Sequence, residues 1–135
     1  MTSIGPDDQR ADVELRVPAD SAYASVLRTT TAGLAARLDF PIDDIEDLRI
    51  AVSEASAMVL PNAAGDADLT CRFFMSPGSL TVSVGVPVDA PVDPQYDSFA
   101  WQVLTTLATD AAADTSGGRF TVSVTMAPGQ TGSGS

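Results

Sequence analysis

Two alternating apolar runs joined by Pro77-Gly78 constrain this chain more than any other feature. Leu69, Cys71 and Phe73 repeat with a period of two, and Leu80, Val82, Val84 and Val86 repeat it again beyond the turn. A period of two puts one set of side chains on one face of a strand, and Pro-Gly reverses the chain. The segment is therefore predicted to be an antiparallel hairpin with one apolar face, which the rest of the chain must cover.

The flanking segments supply the cover. Val13, Leu15 and Val17 alternate with Asp12, Glu14 and Arg16, which predicts an earlier strand ended by Pro18. Asp20 and Ser21 are N-cap residue types, and a first helix is predicted over residues 21–38. Tyr23, Leu27, Leu34 and Leu38, with Val26 beside them, are read as its buried face, and Ala24, Arg28, Thr31 and Ala35 as its open, small and polar face. A second helix is predicted from near Pro41 to Leu60, where Pro61 stops it. Asp43, Asp44, Glu46 and Asp47 suit the positive end of its dipole. Ile45, Leu48, Val52, Ala55 and Val59 form its apolar stripe.

After the hairpin, residues 89–97 form a proline-bearing loop. A third helix is predicted over residues 98–113, with Val103, Leu104, Leu107 and Ala111 inward. Gly117-Gly118 leads into a last strand carrying Phe120, Val122, Val124 and Met126. The expected architecture is one α/β domain over residues 11–127. It is a two-layer sandwich of a mixed, mostly antiparallel sheet with three helices on one face. Residues 1–10 and 128–135 are expected to be loose tails.

Charge and residue usage narrow the chemistry. The net charge is −11, and all seven basic residues are arginine. Phosphate contacts need a cationic surplus, so neither nucleic acid nor an anionic membrane is an expected partner. The absence of histidine removes Ser–His and Cys–His catalysis and any histidine metal site. The polar, acidic start does not read as a secretion signal and no apolar run is long enough to span a bilayer. With one cysteine, read as core packing, the expectation is a cytoplasmic protein.

Few reactive residues remain. Glu54 adjoins the apolar stripe and is either a general base at the core edge or a solvated helix glutamate. Asp89 either accepts a hydrogen bond from a ligand amine or is a loop-start aspartate. The loop at 89–97 contains no glycine and so does not look like a phosphate cradle.

The stretch DLRIAVSEASAMVL resembles the second helix of the RsbW/SpoIIAB-type anti-sigma factors, of the GHKL histidine-kinase-like ATPase superfamily. DSFAWQVLTTLATDAA is similar to the third helix of actinobacterial members, and the element order agrees over nearly the whole chain. The resemblance implies the Bergerat fold, homodimers, sequestration of an alternative sigma factor of the stress and sporulation class, and release by a STAS-domain anti-anti-sigma factor. It also implies, in kinase members, ATP-dependent phosphorylation of a serine on that antagonist.

Carried over residue by residue, Glu54 matches the kinases' general base. Met58 stands where they have a magnesium-binding asparagine, so no metal ligand is expected there. Asp89 is the nearest match to the adenine-reading aspartate, in VDAPVDP, which lacks the family's glycines. YDSFAW replaces the glycine-bearing lid. Arg28 matches, counting back from Asp39, an arginine that members use against partners; taken alone it also reads as a solvated surface arginine. The altered boxes favour a stoichiometric regulator, with magnesium-ATP binding weak or absent, over a serine kinase. A domain detached from a histidine kinase is disfavoured by the absence of any phosphoacceptor histidine.

Overall fold

The computed structural model of the chain describes residues 10–129. The predicted tails lie almost wholly outside the described residues. The chain runs through β1 (Val13–Pro18), α1 (Ala24–Arg37), α2 (Ile42–Val59), β2 (Asp68–Ser76), β3 (Ser79–Pro87), α3 (Phe99–Leu107), β4 (Asp110–Asp114) and β5 (Arg119–Met126). The sheet order is β1-β2-β3-β5-β4. Every neighbouring pair among the described strands is antiparallel, so the sheet is not mixed.

The hairpin forms as its alternation requires. Ser76 pairs with Ser79 across Pro77-Gly78, and Gly78 takes a φ of 75°, a region open to glycine at little cost. Leu69, Cys71 and Phe73 align with the buried valines of β3 and β5 on one face. The central helix α2 lies on that face against β3 and β5, with α1 and α3 packed against α2. All five predicted stripe residues of α2 are buried, joined by Ala51 and Ser56.

Two further readings are corrected. The third helix ends at Leu107, and Asp110–Asp114 is an edge strand rather than a last helical turn. Ala111 and Ala113 pair with Val124 and Val122, so ladder hydrogen bonds override the helix preference of three successive alanines. The first helix is rotated relative to its predicted faces. Leu27, Thr31 and Ala35 are fully buried, whereas Tyr23 is 38% and Val26 41% exposed. Residues 27, 31 and 35 form one line at four-residue steps, and the small Thr31 and Ala35 permit close approach to α2. Thr31 satisfies its buried hydroxyl by donating to the carbonyl oxygen of Leu27 at 2.8 Å.

The other sheet face carries small polar groups. Gly85 sits there opposite Thr70 on one side and Thr121 on the other. A Cβ on Gly85 would lie 2.7 Å from Thr121 Oγ1 and 3.2 Å from an Arg119 guanidinium nitrogen. Gly85→Ala is therefore expected to destabilise the protein by about 1–2 kcal/mol through overpacking. Urea denaturation checks this, and adding Thr121→Ala should recover part of the loss.

Candidate functional site

One end of α2 and the loop after β3 border an open cavity of about 410 Å³. Met58 and Asn62 line it from the α2 side, Pro91, Val92, Asp93 and Gln95 from the loop, with Ser98 and Phe120 completing it. The lining carries one charge, Asp93, and no cation or glycine.

Local hydrogen bonds hold the loop. Gln95 Nε2 donates to the Asp93 carbonyl at 3.2 Å, and the amides of Tyr96 and Ser98 donate to Pro94 and Gln95 at 3.0 Å. Ser98 Oγ accepts from Trp101 N at 3.1 Å, an N-cap that ties the loop to α3. Tyr96 meets the Trp101 ring edge-on, with centroids 5.0 Å apart. On the helix side, Asn62 Nδ2 donates to the Met58 carbonyl at 3.2 Å.

The residues singled out in the sequence are not all brought together here. Met58 lines the cavity. Glu54, one helical turn before it, is half-buried and lies outside the lining, as does the exposed Asp89. Asp93, four residues further along the same loop, is the carboxylate in the lining. Asn62, Gln95 and Asp93 were missed; their signal was a run of polar side chains flanking the loop prolines, which alone does not reveal a concave surface.

The α1 candidates separate. Ala24 and Arg28 are half-buried one turn apart, and Arg28 has no ion-pair partner among the described residues. Thr31, expected on the open face with them, is inaccessible.

Cys71 is buried in the core, and desolvation pushes its thiol up to about 12 from an ordinary 9.0. The native state thus holds this proton to higher pH than the unfolded chain does. The associated stability is complete below about pH 9 and falls as pH rises toward 12. Denaturation midpoints across that range should fall more steeply for the parent than for Cys71→Ala. A thiol reagent at pH 8 should leave the folded protein unmodified.

Among the described residues no group of three or more His, Cys, Asp or Glu side chains is placed to hold a metal ion. No described helix is long and apolar enough to cross a membrane.

No family model matches the sequence. Curated relatives do. The chain is 37% identical over 75 residues to the serine-protein kinase RsbW of Bacillus velezensis, covering 53% of this chain and 47% of that protein. It is 43% identical over 51 residues to the RsbW proteins of Bacillus thuringiensis and Bacillus cereus, covering 38% of this chain and 32% of theirs. The chain thus spans about half the length, or less, of the curated relatives it matches. The likeness to RsbW/SpoIIAB-type anti-sigma factors, first carried by the second-helix motif, is supported by these relatives.

Proposed function

We propose that this protein is an anti-sigma factor that sequesters an alternative sigma factor, self-associates as a homodimer, and is countered by a STAS-domain antagonist. The observation that carries the proposal is the identity to RsbW serine-protein kinases. The two-layer fold supports it, because it leaves the Arg28 side of α1 half-accessible next to the central helix.

The second reading is an ATP-dependent serine kinase acting on that antagonist, and the name of the relatives favours it. The lining of the cavity does not suit magnesium-ATP. A thioether at Met58 is a poor ligand for a hard cation. With no cation and no glycine amide cradle in the lining, the one charge a triphosphate would meet there is the like charge of Asp93. The regulator reading therefore includes no phosphoryl transfer.

Mixing the protein with a sigma factor and a STAS-domain protein from its own genome tests the proposal. A stable sigma-factor complex dissolved by the STAS protein without nucleotide is the expected result. Failure to bind any sigma factor of the stress and sporulation class overturns it. Glu54→Gln is expected to leave both complexes within about twofold of the parent, since Glu54 then has no proton to abstract. Labelled ATP supplies the contrary outcome: transfer to the STAS protein, abolished by Glu54→Gln, would establish the kinase.

A further inference from the structure

We draw no further inference here: the strongest candidate, the surface patch on the sheet face away from the helices where Arg16, Arg72 and Arg119 border an open space beside Gly85, carries nothing, because Glu14 already lies 3.7 Å from Arg16 and 3.6 Å from Arg72 and nothing in the structure shows what covers that face.

Discussion

Phe73→Ala is expected to cost about 3–5 kcal/mol of folding stability, the usual toll for emptying a buried phenylalanine site. Phe73 is fully buried in β2, between Val13 of β1 and Val82 of β3, and faces α2 with Leu69 and Cys71. Removing the ring leaves a space that two hydrogen-bonded neighbouring strands cannot close by moving. Against a total of about 5–15 kcal/mol, that loss lowers the melting temperature by about 10–20 °C. The adjacent Phe74 supplies the control. It lies on the opposite sheet face, half-buried, with the Arg72 guanidinium 5.4 Å from its ring centre. Phe74→Ala should cost about 1 kcal/mol, the worth of a partly exposed aromatic contact. Because strand side chains alternate, a one-residue slip would exchange the two effects. Urea denaturation of the pair thus reads the register of β2, and a larger loss at Phe74 would reject the strand alignment.

The same alternation explains what could be read from the chain. Where one face is buried and the other is not, residue type reports the face, as for the hairpin valines and the α2 stripe. Two elements escaped that logic. In α1 the apolar residues are spread around the helix, and the faces were assigned by size, although small Thr31 and Ala35 are what let α1 approach its neighbour. At β4 the residues from Ala111 to Ala113 favour a helix locally, and only the open edge of β5 makes them a strand. The cavity was half legible. Met58 was marked by its place in the helix motif, while Asp93 depended on how a proline-bearing loop folds back, which no periodicity encodes.

Arg28→Glu is expected to weaken sigma-factor binding by about 2–4 kcal/mol, or about 30- to 700-fold. Arg28 is half-buried on α1 with Ala24 one turn before it, and among the described residues no carboxylate neutralises it. An arginine so placed has its stem against the protein and five planar donors available to a partner. The small side chain at Ala24 lets another backbone come close. Reversing the charge removes the donors and opposes whatever carboxylate or carbonyl they meet, so the loss exceeds simple truncation. No ion pair is broken, and the melting temperature should move by no more than a few degrees. The net charge of −11 should accelerate encounter with a basic partner segment, so association of the parent should slow as salt rises. Arg119→Glu is the control, because Arg119 begins β5 on the sheet face away from the helices. It should leave sigma-factor binding within about twofold. If Arg28→Glu binds as tightly as the parent while Arg119→Glu does not, the partner face is the open sheet and not the first helix.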